Sequence, residues 1–452
     1  MLRLIATLGC VALLPLGLDC NRSCFAQTNE SGNVSNNQLE SKIGTDEKGL
    51  YTIVSPRLTL VSDIPFDDEL KSWPGLFEQS LDQWQKYFSV APEQMVDWKI
   101  KAILIGDRDR CAKLGLLDNV PAFDEGYQFG NVIYVREQPT VYYRRLLFLH
   151  EATHWIMWKL YGGAGSPWFM EGMAEMQGTH ALSNGSLTLG VIPASRDLVA
   201  GWGRLRLIDE SLKRGVAPTM SEILAFGNAR EDHEIRYSWS WAACVFFTKH
   251  PKYGPILKDL YRSGKLDYSD ALSLRFKKLL TPNWSEVQLE WNAFVSDLDF
   301  GYDFSRSAVI GSSSANWNSL QRGQSARMTL ATDRGWQPTG IDVEAGKPIR
   351  INCSGSFKVK SVLEGSDANW VAEPCGITYR YYRGNPLGCV VASIISDEAN
   401  ESTKRWETIR VGEGTVINSP KAGKLFMKVN EPSNGLLDNI GSLSVEIFLT
   451  NP

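Results

Sequence analysis

Hydrophobic and polar positions follow two contrasting patterns along this chain. Between residues 49 and 303, apolar runs typical of strands are mixed with apolar residues at helical spacing. Residues 51–60, 98–105 and 131–135 have strand-like patterns, whereas residues 76–88 have the spacing of a helix. The mixture predicts an α+β domain over residues 49–303.

The middle of the chain carries clear signals for where helices begin and end. A helical pattern over about residues 139–161 stops at Gly162-Gly163, as glycine commonly ends a helix. Ser166-Pro167 predicts the start of the next helix, because Ser is a common N-cap and Pro fits the first turn. Asn184-Gly185 between short apolar runs predicts a hairpin. Residues 220–296 are mostly helical in pattern.

The pattern changes in the last third of the chain. Residues 304–327 are dominated by Ser, Asn, Gly and Gln, a composition typical of a linker. Residues 328–452 show short β-rich runs separated by Gly, Pro and Asn turns. This predicts an all-β sandwich domain, jelly-roll-like in character, after the α+β domain.

The first residues have the features of an export signal. Arg3 precedes an apolar run over residues 4–18, and small residues surround a cleavage point after Ala26. We therefore expect a signal peptide over residues 1–26 and a secreted or periplasmic protein, the alternative being an uncleaved anchor. Residues 27–48 predict a mobile N-terminus. No other run is long enough to cross a bilayer, so no stable membrane span is expected after cleavage.

Charge and cysteine content exclude some classes of function. The formal net charge is −4, without long blocks of like charge, which gives no support for a nucleic-acid partner. No Cys-x-x-Cys motif is present, which argues against a thiolate zinc site. Export permits disulfides, and one bridge is plausible among the three cysteines of the last hundred residues, with the pairing left open. Those cysteines are Cys353, Cys375 and Cys389.

The sharpest motif is His150-Glu151-Ala152-Thr153-His154. Residues four apart share one face of a helix, so His150 and His154 can hold the same metal ion, with Glu151 able to reach a water on it. The alternative is an ordinary helix that carries two histidines. The motif uses two of the five histidines in the chain. His180 and His250 are expected at the surface.

Two glutamates on the next predicted helix strengthen the metal hypothesis. A catalytic zinc takes three protein ligands and keeps one position for water. Glu171 follows His154 closely enough for an antiparallel helix to return it to the metal as the third ligand. Glu175, one turn further, is placed to accept the free N–H of a ligand histidine. The alternative is a pair of solvated helix carboxylates.

The motif, the glycine break and the Pro-Trp-x-x-Glu-Gly-x-Ala-Glu run at residues 167–175 resemble the gluzincin metallopeptidases, and within them the peptidase MA-like exported bacterial proteins. The resemblance implies a zincin fold and a Zn2+ site with His150, His154 and Glu171 as ligands. It further implies Glu151 as general base, Glu175 as a support for a ligand histidine, and a peptide or protein as substrate.

The same resemblance implies two further features of the active site. An edge strand should line the substrate cleft, and residues 131–135, just before the zinc helix, match that strand in order. A Tyr or His from the following helical region should stabilise the transition state. Tyr237 is the preferred candidate for this role and His233 the other, the alternative being that Tyr237 is only anchored in packing.

The C-terminal domain resembles the galactose-specific PA-I lectin family over residues 340–355 and 423–447. That resemblance implies a β-sandwich holding Ca2+ through Glu431, Asp438 and Asn439, and a glycan ligand. Hard oxygen ligands of this kind suit calcium. The alternative is that these residues only make turns.

These features favour a secreted zinc metallopeptidase with an accessory β-sandwich that binds glycan. The alternative is a carbohydrate-binding or adhesion protein whose zincin domain is catalytically idle. A zinc hydrolase acting on another kind of bond also remains open, because the ligands alone do not fix the substrate.

Overall fold

The structure is a computed structural model, and it describes residues 41–227, 232–264, 266–312, 315–360, 369–396 and 402–450. The expected signal peptide and most of the expected mobile N-terminus lie outside the described residues. From residue 40 onward the chain forms one compact unit. A mixed α+β region comes first, and a β-rich region follows it, as predicted.

The α+β region is built on a six-stranded sheet with the order β1-β2-β3-β4-β6-β5. Its strands are β1 (Lys42–Thr45), β2 (Tyr51–Val54), β3 (Leu58–Ser62), β4 (Ile100–Ile105), β5 (Gly126–Phe129) and β6 (Val132–Arg136). β3, β4 and β6 are parallel neighbours, and β5 runs antiparallel to β6. The expectation of an edge strand at residues 131–135 is therefore wrong. β6 pairs on both sides, and β5 is the edge strand.

Twelve helices are described. They are α1 (Asp68–Phe88), α2 (Pro92–Met95), α3 (Arg108–Lys113), α4 (Val141–Tyr161), α5 (Pro167–Gly178), α6 (Arg204–Arg214), α7 (Met220–Leu224), α8 (His233–Lys249), α9 (Tyr253–Arg262), α10 (Ala271–Leu280), α11 (Trp284–Asp297) and α12 (Phe304–Ser307). Their apolar faces share one core, in which the largest side chains are buried tryptophans. Burial of this much aromatic surface is the main force that holds the helices together.

Local sequence explains the ends of the two helices that matter most. Thr140 caps α4 by accepting a hydrogen bond from Tyr143 N (3.2 Å), and Gly162 ends it in the left-handed conformation (φ 75°). α5 begins at Pro167, as predicted. Its Gly172 permits close packing on α8, because a Cβ there would lie 2.4 Å from Ser240 O.

The predicted hairpin at Asn184-Gly185 is also confirmed. It joins β7 (His180–Ser183) to β8 (Ser186–Leu189), and both turn residues have positive φ (50° and 77°).

The β-rich region contains two main sheets whose inward residues share a core. One has the order β14-β13-β21-β12-β19 with β10 also on β21, the other has the order β18-β17-β20-β11-β9, and β15 and β16 form a separate hairpin. The strands are β9 (Asn318–Ser319), β10 (Ser325–Ala331), β11 (Gln337–Val343), β12 (Ile349–Ser354), β13 (Phe357–Lys360), β14 (Asn369–Ala372), β15 (Ile377–Tyr382), β16 (Asn385–Leu387), β17 (Val390–Ile395), β18 (Ile409–Arg410), β19 (Gly414–Ile417), β20 (Gly423–Val429) and β21 (Ile440–Leu449).

Two expectations about this part of the chain can be compared with the structure. The segment at 304–327, expected to be a linker, contains α12, β9 and the start of β10. The division into domains stays a prediction. The expected disulfide is absent, because all five cysteines among the described residues are free.

Candidate metal centre

Helices α4 and α5 bring His150, His154 and Glu171 to one point. The two Nε2 atoms of His150 and His154 lie 3.1 Å apart. Glu171 Oε2 lies 3.3 Å from His150 Nε2 and 3.6 Å from His154 Nε2. This is the one group of three or more His, Cys, Asp or Glu side chains, among the residues described, whose ligand atoms converge in this way.

The three distances fit a metal ion better than they fit hydrogen bonds. A tetrahedral zinc with Zn–N of about 2.0–2.1 Å holds neighbouring ligand atoms about 3.3 Å apart. Glu171 Oε2 is buried and accepts no hydrogen bond from the described residues, although both imidazoles lie near it. A cation at the common point would satisfy all three atoms. These residues therefore form a candidate metal-binding group.

The pKa values of the candidate ligands are shifted because several ionisable side chains lie close together in a buried site. Burial alone would lower the pKa of His150, but the neighbouring carboxylates of Glu171 and Glu175 raise it to about 10. Burial would raise the pKa of Glu171, but the imidazoles of His154 and His150 hold it well below its usual value. A bound cation would take the place of the proton that this arrangement favours on His150.

Glu151 lies beside the candidate metal ligands on α4. The residue is 5% exposed, and burial raises its pKa above the usual value, although His150 and His154 act to lower it. β5 covers it, because a Cβ built on Gly126 would lie 2.4 Å from Glu151 Oε1. The glycine thus leaves the space that the carboxylate occupies. Sequence reasoning missed Gly126, since nothing local marks it.

Glu175 lies behind His150, as the sequence predicted. Its Oε1 is 3.4 Å from His150 Nδ1. Arg204, at the start of α6, donates two hydrogen bonds of 2.9 Å, one to each carboxylate oxygen of Glu175. Burial would raise the pKa of Glu175, but Arg204 and His150 lower it to about 2. Arg204 was not foreseen, since an arginine 29 positions along the chain carries no signal in the sequence.

Tyr237, one turn into α8, lies close to the candidate ligands. Its ring centroid is 6.1 Å from that of His150, and the Arg204 guanidinium lies 5.8 Å from the Tyr237 ring. Burial raises the pKa of Tyr237, and the carboxylates of Glu171, Glu175 and Glu151 raise it further. The hydroxyl therefore stays protonated and able to donate. His233 stacks edge-on against Tyr237 at 5.8 Å.

The expectation that His180 and His250 lie at the surface is wrong, because both are buried. His180 Nδ1 contacts Gly178 O (2.7 Å) and its Nε2 contacts Arg145 (3.2 Å). Burial lowers the pKa of His180 to about 4. His250 Nε2 lies 3.1 Å from Glu290. Neither His180 nor His250 belongs to the group that His150, His154 and Glu171 form.

The residues expected to bind calcium lie near one another in the β-rich region. Asn439 Nδ2 donates to Glu431 Oε2 (2.6 Å) and to Thr332 O (2.8 Å). Asp438 accepts from Lys360 N (3.4 Å). Glu431 and Asn439 thus meet through an amide N–H rather than through two oxygens, although Asn439 Oδ1 is buried without a partner among the described residues. The calcium site stays a prediction.

In comparisons with known proteins, no protein family and no curated protein matches this chain. Among solved structures, it is similar to the EclA N-terminal domain, a PllA-like lectin, with 18% identity, 28% of this chain and 96% of that chain covered, and a TM-score of 0.21. It is also similar to IMPa from Pseudomonas aeruginosa in complex with an O-glycopeptide, with 10% identity, 58% and 25% coverage, and a TM-score of 0.16.

A second structure, of the IMPa metallopeptidase in complex with T-antigen, gives 10% identity, 80% of this chain and 38% of that chain covered, and a TM-score of 0.17. The chain thus spans well under half of the IMPa chain. Similarities this distant assign no function by themselves. Among the described residues, no helix combines the length and the apolar character that crossing a membrane requires.

Proposed function

We propose that this protein is an exported zinc metallopeptidase that hydrolyses peptide bonds with His150, His154 and Glu171 as metal ligands. The observation that carries the proposal is the convergence of three ligand atoms, 3.1–3.6 Å apart, from two neighbouring helices. Two imidazoles and one carboxylate form a usual donor set for catalytic zinc, which keeps a further position for water.

The residues around the candidate metal ligands are positioned for peptide-bond hydrolysis. When bound, zinc polarises a carbonyl and acidifies a bound water. Glu151, buried beside the ligands, is positioned to accept a proton from the attacking water and to return it to the leaving amine. Tyr237, held protonated by its surroundings, can donate a hydrogen bond to the developing oxyanion. Glu175, fixed by Arg204, orients the ring of His150.

The edge strand β5 suggests how a peptide would bind. β5 pairs with β6 on one side, and no described strand pairs with its other side. An extended peptide can add to such an edge through main-chain hydrogen bonds. Because Gly126 of β5 lies against Glu151, a peptide on this edge would pass close to the general base.

Metal content and turnover together test the proposal. The purified chain should contain about one zinc per molecule, and Glu171→Gln should lose most of it. The matched control is Glu210→Gln on α6, whose carboxylate pairs with Arg206 at the surface. The unaltered chain should cleave members of a mixed peptide library, and a chelator should abolish the cleavage.

Glu151→Gln separates the proposal from its alternative. This variant should keep zinc and lose cleavage. If the unaltered chain binds zinc but cleaves no peptide, the catalytically idle, carbohydrate-binding alternative is favoured. If Glu151→Gln cleaves as fast as the unaltered chain, the assignment of the general base is wrong.

A further inference from the structure

A cavity of about 920 Å³ lies where the α+β region meets the β-rich region. One wall is formed by residues 196–203, one side of α6 and residues 298–300, and the other by the β15–β16 hairpin and Arg405. Ligand sites commonly have volumes of about 300–1,000 Å³ and often lie between parts of a protein. Its size and position therefore suit a ligand.

The two walls are fixed by buried contacts, so the cavity is preformed. Asp297, at the end of α11, forms an ion pair with Lys428 of β20, and both side chains are at most 7% exposed. Asp297 also pairs with Arg383 of the β15–β16 turn (3.2 Å). Trp291 Nε1 donates to Thr403 Oγ1 (3.1 Å) across the same interface. A ligand would meet walls that need little rearrangement, which favours binding.

The cavity carries an excess of positive charge although the whole chain has a net charge of −4. Five basic side chains line it against three acidic ones. Most of the basic groups are paired. Asp209 pairs with both Lys213 and Arg405, Arg206 pairs with Glu210, and Arg383 pairs with Asp297. Arg196 has no acidic partner among the described residues. Burial and the neighbouring Arg383 lower the pKa of Arg405, whereas its partner Asp209 raises it.

Aromatic rings stand beside these cations. Tyr381 lines the cavity and is 59% exposed, and Tyr379 on the same strand is 73% exposed. The Arg383 guanidinium lies 5.1 Å from the centre of the Tyr382 ring. Tyrosine rings offer a flat apolar face together with a polar hydroxyl, and they are commonly exposed where they contact a ligand.

We propose that this cavity binds a carboxylate-bearing sugar of the sialic or uronic acid type. Guanidinium groups match a carboxylate with paired hydrogen bonds, and Arg196 is available for such a contact. Tyr381 supplies a face against which a sugar ring packs. An extended acidic peptide would instead need a sheet edge for its main chain, whereas a concave cavity between fixed walls suits a compact ring. The site is separate from the candidate metal ligands and from Glu431.

Binding measured by calorimetry on the purified full chain tests this proposal. The probe is sialyllactose, and lactose, which lacks the carboxylate, is its matched neutral control. Arg196→Gln should weaken sialyllactose binding by about tenfold, since hydrogen bonds to charged groups contribute about that much. Arg214→Gln removes the same charge from the same part of the chain, at an exposed position outside the cavity lining. It should change binding by less than about twofold.

Two further measurements complete the test. Tyr381→Ala should also weaken binding, while Glu151→Gln should bind as the unaltered chain does, so the result does not depend on peptidase activity. The proposal is overturned if lactose binds as tightly as sialyllactose, or if Arg196→Gln and Arg214→Gln behave alike. It is also overturned if an oligoglutamate peptide binds as tightly as the sugar acid.

Discussion

Gly126 of β5 lies directly against the carboxylate of Glu151, and only glycine fits at this position of the strand. A Cβ on Gly126 would lie 2.4 Å from Glu151 Oε1 and 2.9 Å from its Cδ and Cγ. Real Cβ atoms do not approach other atoms so closely, so any side chain would displace Glu151. Gly126 is therefore a positioning residue for the proposed general base.

Gly126→Ala should abolish most peptide cleavage while leaving the zinc content unchanged. The candidate metal ligands lie on α4 and α5, and the three atoms nearest to the added methyl group all belong to Glu151. Because a misplacement of about 1 Å in a catalytic group can lower a rate about a hundredfold, we expect a loss of that order in kcat.

The matched control is Gly44→Ala, in β1 at the opposite edge of the same sheet. A Cβ there meets only Thr52 Oγ1 at 3.8 Å, an ordinary contact. This variant should cleave peptides as the unaltered chain does. Equal activity in Gly126→Ala would show that Glu151 is free to move or is not the base.

Tyr237→Phe tests the second proposed catalytic group. Removing a donor to a developing oxyanion typically lowers kcat by about 100- to 1,000-fold. We expect a loss in that range, with KM and zinc content little changed, because the converging ligand atoms belong to His150, His154 and Glu171 and stay in place. Tyr268→Phe, at a position 55% exposed, is the control. If kcat instead falls only in His233→Ala, the donor is His233.

The convergence of His150, His154 and Glu171 was predictable because their arrangement is local. His150 and His154 are one helical turn apart, and the glycine break at Gly162 and the cap at Ser166 fix where the next helix begins. Because the connection between the two helices is short, α5 must pack close to α4, and this restricts the position of Glu171. Both helix boundaries and the hairpin at Asn184 follow from the same short-range rules of backbone geometry.

Features set by contacts between distant parts of the chain were not predictable. Strand order in the sheet depends on pairing, and β5 occupies the edge position that the resemblance implied for residues 131–135. His250 is buried together with Glu290, forty positions along the chain, whose carboxylate lies 3.1 Å from its Nε2. The role of Arg204 likewise depends on Glu175 being folded against it. Contacts of this kind do not alter the hydrophobic pattern of either segment, so the sequence does not reveal them.

Arg204→Met should destabilise the fold and weaken metal binding. Arg204 and Glu175 are 7% and 2% exposed and share two hydrogen bonds, so removing the cation leaves a buried carboxylate without its main partner. We expect the free energy of unfolding to fall by about 3–5 kcal/mol. Zinc affinity should fall by about 10- to 100-fold, since Glu175 would no longer be held beside His150.

Denaturant unfolding and a competitive zinc titration measure these two effects. Arg206→Met on the same helix is the control, because Arg206 forms a surface ion pair with Glu210 and is 61% exposed. Its loss should cost less than about 1 kcal/mol. If the two variants unfold alike, the Arg204–Glu175 pair does not contribute to stability in the way its burial suggests.

The pH dependence of stability should carry a contribution from Glu431. Burial raises its pKa from 4.5 to about 7, although the hydrogen bond from Asn439 lowers it. Between those two values the folded chain keeps a proton that the unfolded chain has released. The free energy of unfolding therefore falls as pH rises from about 4.5 to 7, by about 3 kcal/mol in the absence of cations, with no further loss from this group above that range.

Glu431→Gln should remove this part of the pH profile, and Glu413→Gln, at an exposed position in the same region, should not. Thermal unfolding between pH 4 and 8 measures the difference. Calcium gives the experiment a second use, since a cation bound at Glu431, Asp438 and Asn439 would favour the ionised carboxylate. Millimolar calcium should then restore stability at neutral pH in the unaltered chain and not in Glu431→Gln. An unchanged profile with calcium would contradict the predicted calcium site, because a ligand that binds only the folded state must stabilise it.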